Sequence, residues 1–218
     1  MINFRGPYWN GMSAPRYEFR TFGPDLGTVG ARLREMAPLG RYRESRELYL
    51  LLPGRLDLNL KVRDDALELK RRVELDDDLE LWRPAFRLAF PIPATTLREH
   101  LADLLPESAT LPDTGSCDAR RLLALLTAPR TGVARASLFK QRFGFDIAGC
   151  LAEVVEVLVN GARLMSAAVE AEDPARVRAQ RDRLGLAGTE NVGYVLALER
   201  VLGRLPLPPG AFYDATPG

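Results

Sequence analysis

Histidine occurs once in this chain, at His100, and cysteine only twice, at Cys117 and Cys150. The histidine lies in a helix-like stretch, Leu97-Arg-Glu-His-Leu-Ala-Asp103, where a surface position accounts for it. Nucleophilic catalysis through Ser–His or Cys–His pairs therefore has no support, and neither does a histidine-based zinc site. Two cysteines so far apart make no disulfide framework, and both read as reduced thiols of a cytoplasmic protein. No apolar run approaches the length of a membrane span, and Met1 to Asn10 lacks the apolar stretch of a signal peptide. Neither sign of charge dominates. Thirty Lys+Arg stand against 29 Asp+Glu, a formal net charge of +1, so there is no global basic field to draw in nucleic acid. Gly185 and Gly188 fit no phosphate-loop or dinucleotide pattern.

What remains is an ordinary globular composition, 46% hydrophobic and 27% charged over 218 residues, long enough to bury a core without staples. Arg16 to Phe22 alternates charge with aromatics and reads as a strand. Pro24 to Met36 carries Leu26, Val29, Leu33 and Met36 at helical spacing behind an N-terminal proline. Strand patterns follow over Tyr42 to Leu52, Leu56 to Arg63, Leu67 to Val73 and Leu79 to Phe90, with Asp64-Asp65 as a turn and Pro84 interrupting the last. Thr95 to Leu105 and Asp118 to Leu126 read as helices around a polar loop at 106–116. Strands resume over Gly132 to Phe143, Leu151 to Val159 and Ala162 to Glu172. Helices over Pro174 to Leu184 and Glu190 to Leu202 close the chain. The expectation is an α+β fold, an antiparallel β-barrel or tunnel with flanking helices, as a single domain over 14–203 with extensions at 1–13 and 204–218.

Asn160-Gly161 between two alternating segments is the strongest hairpin signal in the chain. If it is the turn, Val159 pairs with Ala162 and Leu151 with Glu170, which puts Glu153 on the side of Glu170 and Glu172. The same period of two groups Arg16, Glu18 and Arg20 on one face. It likewise groups Lys61 with Arg63, Glu68 with Lys70 and Arg72, and Lys140 with Arg142. Each set taken alone fits a solvated outer face. Five sets together fit a closed barrel whose apolar faces meet outer helices and whose charged faces line a wet interior. Basic groups there suit phosphate oxygens, and clustered carboxylates suit a hard divalent cation. Trp82 and Trp9 are read as packing rather than base-stacking aromatics, Asp76 to Asp78 as a loop, and Arg176, Arg178, Arg181 and Arg183 as a solvated helix face.

The order of these segments resembles the CYTH superfamily, the triphosphate tunnel metalloenzymes. Arg16-Tyr-Glu18-Phe-Arg20 stands where that family has Glu-x-Glu-x-Lys. Asn59-Leu-Lys61-Val-Arg63 is similar to its phosphate-gripping strand, and Leu67-Glu-Leu-Lys70 to the strand that follows. Phe139-Lys140-Gln-Arg142 is similar to its Lys-x-Arg strand, and Val169-Glu170-Ala-Glu172 to its late Glu-x-Glu. The resemblance implies that Arg20, Lys61, Arg63, Lys70, Lys140 and Arg142, with Arg72 as an addition, hold phosphates. It implies that Glu18, Glu153, Glu170 and Glu172 hold Mg²⁺ or Mn²⁺. It further implies a phosphate-rich small molecule or polyphosphate as partner. The lack of a long apolar run and of a basic field argues, apart from the resemblance, against a membrane or nucleic-acid partner, and a homodimer is compatible with the sequence. The activity implied is a metal-dependent phosphohydrolase acting on a triphosphate, or an adenylyl cyclase. The sequence departs from the pattern at Arg16, which removes a carboxylate and adds a cation. If Arg16 pairs with Glu18 or Glu172, the alternative is a non-catalytic module that binds a polyphosphate, nucleotide or other polyanion without metal.

Overall fold

The computed structural model of the chain describes residues 14–207. The lead-in at 1–13 with Trp9, and the tail from 208 onward, lie outside them. Among the described residues, eight long strands close into one antiparallel barrel in the order β1-β10-β9-β8-β2-β3-β4-β5. The strands are β1 (Arg16–Gly23), β2 (Arg41–Leu51), β3 (Leu58–Arg63), β4 (Ala66–Asp76), β5 (Leu79–Ala89), β8 (Ala134–Ile147), β9 (Cys150–Val159) and β10 (Ala162–Ala171). Two-residue strands β6 (Ile92–Pro93) and β7 (Ser116–Cys117) pair beside them. Helices α1 (Val29–Met36), α2 (Ala94–Leu101), α3 (Ala119–Leu126), α4 (Pro174–Arg183) and α5 (Tyr194–Val201) flank the barrel. The architecture is the α+β barrel with flanking helices expected from the segment pattern.

The turns follow from residues that tolerate positive φ. Asn160 (φ 48°) and Gly161 (φ 95°) close the β9–β10 hairpin as the primed turn that suits twisted strands. The resulting register pairs Val159 with Ala162 and Leu151 with Glu170, as the turn dictates. Asp64 and Asp65 (φ 47° and 53°) turn β3 into β4 in the same way. Pro84 does not end β5. It sits opposite Lys70 at a register shift between Leu69 and Lys70, where a missing N–H costs the ladder nothing. Helix α1 begins at Val29 rather than Pro24, because the chain from Pro24 to Leu26 is irregular and turns at 27–28 into the helix. Helix α5 begins at Tyr194 rather than Glu190, since Asn191 and Val192 are engaged elsewhere. The Arg20 backbone N–H donates to Asn191 Oδ1, and the Val192 N–H donates to the Arg20 carbonyl. This segment therefore covers the edge of β1 beyond its pairing with β5, which ends at Glu18.

Three apolar clusters carry the packing. One joins the outer face of β1, β9 and β10 to α1 and α4, through Phe19, Val154, Val169, Leu33 and Val177. A second joins the outer face of β2 to β4 to α2 and α3, through Leu50, Leu60, Leu69, Leu97 and Leu122. Each fully buried leucine contributes on the order of 1.5–3 kcal/mol. The third fills one end of the barrel interior, where Tyr194, Val195 and Leu198 of α5 pack on Tyr49, Leu51, Leu138, Val155 and Val157. The barrel is thus apolar outside and at one inner end, which leaves the rest of its interior for charge. Cys117 and Cys150 are free and buried, and His100 accepts no catalytic partner. Its Nδ1 meets the Thr96 carbonyl and its ring packs edge-on against Phe86. No helix among the described residues is long and apolar enough to cross a membrane.

Candidate functional site

The open part of the barrel interior is a cavity of 210 Å³. Its wall carries eight basic side chains, from Arg16, Arg20, Arg41, Arg43, Lys61, Arg63, Lys70 and Arg142. Against them stand three carboxylates, Glu18, Glu153 and Glu170, with Asn59, Trp82, Tyr49 and Tyr194 between. The alternation of each strand aims these groups inward, since every set shares one parity.

The cations and carboxylates fall into two networks. In the first, Arg20 on β1 is the hub. Its Nε donates to Glu18 Oε1 at 2.7 Å, its Nη2 to Glu153 Oε1 at 3.0 Å, and its Nη1 to Ser166 Oγ at 3.1 Å. Glu170 Oε1 lies 3.7 Å from Nη2, and the guanidinium stacks over the Tyr194 ring at 4.7 Å. Glu18 and Glu170 are direct cross-strand neighbours. Two carboxylates so placed cannot both ionise freely. Burial, then the charge of Glu18, raises the Glu170 carboxyl to about 7. Burial works against ionised Glu18 too, but the charge and hydrogen bond of Arg20 overcome it and hold Glu18 at about 2.

The second network centres on Glu47 of β2, which is 3% exposed. Lys140 Nζ (2.9 Å) and Lys61 Nζ (3.3 Å) approach one oxygen of its carboxylate. Arg142 Nη2 (2.8 Å), Arg63 Nη1 (3.5 Å) and the Ser45 hydroxyl (3.0 Å) approach the other. Burial opposes the charge on Glu47, yet the four cations hold it far below the usual carboxylate range. Burial lowers Lys61 to about 8 and outweighs the pull of Glu47. Arg63 also pairs with Glu68 at 2.8 Å, and Arg142 lies 3.8 Å from Glu153, so Glu47 is one of three carboxylates that these four cations meet. Among the described residues, three buried polar atoms of the lining have no partner: Asn59 Oδ1, Arg63 Nε and the Tyr194 hydroxyl.

Of the residues expected from the sequence, Arg20, Lys61, Arg63, Lys70, Arg142, Glu18, Glu153 and Glu170 line this cavity together. Three do not. Lys140 is fully buried behind the wall, where its ammonium donates to Glu47 and to the Tyr49 hydroxyl at 2.9 Å and lies 3.3 Å from the Tyr194 ring centroid. It shares a face with Arg142 but sits at the apolar end. Arg72 is paired with Glu80 and does not line the cavity. Glu172 lies past the end of β10, exposed, in a separate cleft with Asp173 and Arg176. Trp82 is buried, with its Nε1–H donated to Glu80, although its face reaches the cavity. Arg16 reaches the cavity mouth and forms no ion pair among the described residues. The sequence reasoning missed Glu47, Arg41, Arg43 and Tyr49, although they alternate along β2 and obey the rule applied to the other strands. It also missed Tyr194, which only the return of α5 into the barrel brings to the site.

The donor set does not fit a divalent ion as it stands. All three carboxylates of the cavity already share one guanidinium, and no group of three Asp, Glu, His or Cys among the described residues is placed to hold a metal.

Among solved structures the chain is similar to HpAC1 of Hippeastrum, an adenylyl cyclase candidate described as having a dominant triphosphatase activity. The likeness has a TM-score of 0.50 at 16% identity, and covers 90% of this chain and 100% of that one. The chain shares with that protein the fold of a closed antiparallel barrel with flanking helices. A conserved hypothetical protein of Pyrococcus furiosus (TM-score 0.49, 18% identity, 83% and 98% covered) and an adenylate cyclase candidate of Bacillus halodurans (0.48, 12%, 83% and 96%) also align. No protein-family profile and no curated sequence matches the chain. The closed barrel explains why charge converges here. Eight strands from distant parts of the sequence each contribute alternate residues to one interior.

Proposed function

We propose that the tunnel binds the phosphate chain of a phosphate-rich small molecule or of inorganic polyphosphate. The observation that carries this reading is the lining, eight basic groups against three carboxylates in a protein whose net charge is only +1. Such a local excess of cations facing one cavity draws in an anion to balance it. Guanidinium forks and ammonium groups match phosphate oxygens in charge and hydrogen-bond direction. Lys61, Arg63, Lys70 and Arg142 are the wall contacts of the ligand, with Arg41 and Arg43 beside them. The unpartnered Tyr194 hydroxyl and Arg63 Nε supply further donors. The cavity volume of 210 Å³ is below the roughly 300–1,000 Å³ of sites for drug-sized ligands. It favours a run of phosphates, with any base or other group left at the mouth. The two buried free cysteines are consistent with work in a reducing cytoplasm.

Hydrolysis of the bound phosphoanhydride is the second reading. It is favoured by Glu170, a carboxyl raised to about 7 inside the tunnel and therefore able to take a proton from an attacking water near neutrality. Lys61, Arg63 and Arg142 would stabilise charge on the transferred and leaving phosphates, the main contribution in such reactions. HpAC1, with its dominant triphosphatase activity, is a fold neighbour in keeping with this.

The two readings separate in one experiment. Calorimetric titration with tripolyphosphate, ATP and thiamine triphosphate is run beside assays of phosphate release and of cyclic AMP formation. Saturable binding lost in Arg142→Ala supports the tunnel ligand. Phosphate release lost in Glu170→Gln, with binding kept, adds hydrolysis. No binding of any of the three ligands rejects the proposal.

A further inference from the structure

We propose that Arg20 is the built-in counter-cation of the carboxylate cluster, so that the tunnel takes its polyphosphate as the bare anion and needs no divalent metal. The anion itself rests on the function proposed above, but the claim about Arg20 does not.

The geometry of one side chain carries the argument. Every nitrogen of the Arg20 guanidinium is engaged. Nε reaches Glu18, Nη1 reaches Ser166, and Nη2 reaches Glu153 with Glu170 just beyond. These are all three carboxylates of the cavity, so a metal ion would have to bind groups whose charge is already shared by a cation. The side chain cannot yield its place by swinging away. It is 3% exposed, its backbone is pinned on both sides by β10 and by the Asn191–Val192 segment, and its guanidinium lies on the Tyr194 ring. A dication at the carboxylates would therefore sit directly against a fixed positive charge and be repelled by it.

The surroundings point the same way. Arg16 shares the face of Glu18 and Arg20 at the cavity mouth, and Lys70 lines the same cavity. The cations around the three carboxylates thus already outnumber the one an ion would replace. The sequence departure at Arg16 suggested that this residue would neutralise the acidic cluster. In the structure Arg20 does so, and Arg16 adds a further cation at the entrance.

The test reads metal and ligand separately. Mn²⁺ is titrated into the full chain with its free-ion electron paramagnetic resonance signal as readout, without any phosphate compound. The native protein leaves the signal undiminished. Arg20→Ser, which frees the three carboxylates, takes up one Mn²⁺, and Arg20→Ser with Glu153→Gln loses it again. Thermal melts confirm that each variant is folded. If Arg20→Ser does not fold, the native protein and Glu153→Gln decide alone. Uptake by the native protein that disappears in Glu153→Gln overturns the proposal. In the second arm tripolyphosphate is titrated calorimetrically in chelator and in Mg²⁺. Affinity in chelator at least equal to that in Mg²⁺ supports the proposal. Binding seen only with Mg²⁺ or Mn²⁺ overturns it. Failure to bind in either condition rejects the phosphate reading, and the Mn²⁺ titration still decides the role of Arg20.

Discussion

Replacing Glu47 by glutamine tests how the cationic wall is held. The substitution keeps the shape and one oxygen but removes the charge that Lys61, Arg63, Lys140 and Arg142 share. Taking one partner from a buried ion pair costs about 3–5 kcal/mol, because the other charge is left uncompensated. For a domain of this size each kcal/mol moves the melting midpoint by about 2–4 °C, so a fall of about 6–20 °C is expected at pH 7 by calorimetry. The fall should shrink at higher pH. Lys61, lowered to about 8 by burial, and Lys140, also lowered by burial, can then shed their protons and relieve the repulsion. Tripolyphosphate should restore more stability to the variant than to the native protein, since no resident carboxylate competes for the cations. Ligand at a hundred times Kd is worth about 2.7 kcal/mol to either form before that difference is added. A midpoint within about 2 °C of native, or a ligand that stabilises the native protein but not the variant, would refute the reasoning.

Other outcomes follow from the same contacts. Lys61 should lose its proton as pH rises through about 8, so tripolyphosphate affinity should fall above that pH, and Lys61→Arg should remove the fall. Glu170, raised to about 7 from an ordinary glutamate, binds its proton more tightly folded than unfolded. Its contribution to stability is therefore full below about pH 4.5 and is lost as pH rises toward 7. Glu170→Gln should accordingly raise the melting midpoint at pH 8 and leave it nearly unchanged at pH 5. Leu33 is fully buried between α1 and the barrel, and Leu33→Ala should cost about 2–5 kcal/mol in chemical denaturation while leaving ligand affinity intact.

The parts of the site that were legible in the sequence are those governed by the period of a strand. Asn160-Gly161 demands a primed turn, the turn sets the register, and the register brings Glu153 and Glu170 to the same wall. Lys61 with Arg63 and Glu18 with Arg20 followed from the same alternation. Periodicity gives the face of a residue but not its height along the barrel. Lys140 and Arg142 share a face, yet one is sealed beneath Tyr194 and the other lines the cavity. Nor does it give the end of a strand, and Glu172 falls one residue beyond β10. Glu47 was within reach, because Arg41, Arg43, Ser45, Glu47 and Tyr49 alternate through β2 as clearly as any other set. Tyr194 was not, since its place depends on Asn191 and Val192 pairing with β1 across most of the chain length.

The account rests on one anion-binding tunnel inside the barrel, and the measurement that addresses it most directly is a calorimetric titration of tripolyphosphate into the native protein and into Arg63→Ala and Arg142→Ala. One saturable site, weakened severely in both variants while their melting curves stay cooperative, is the result expected. Binding that is absent from the native protein, or unchanged when both wall arginines are removed, would contradict it.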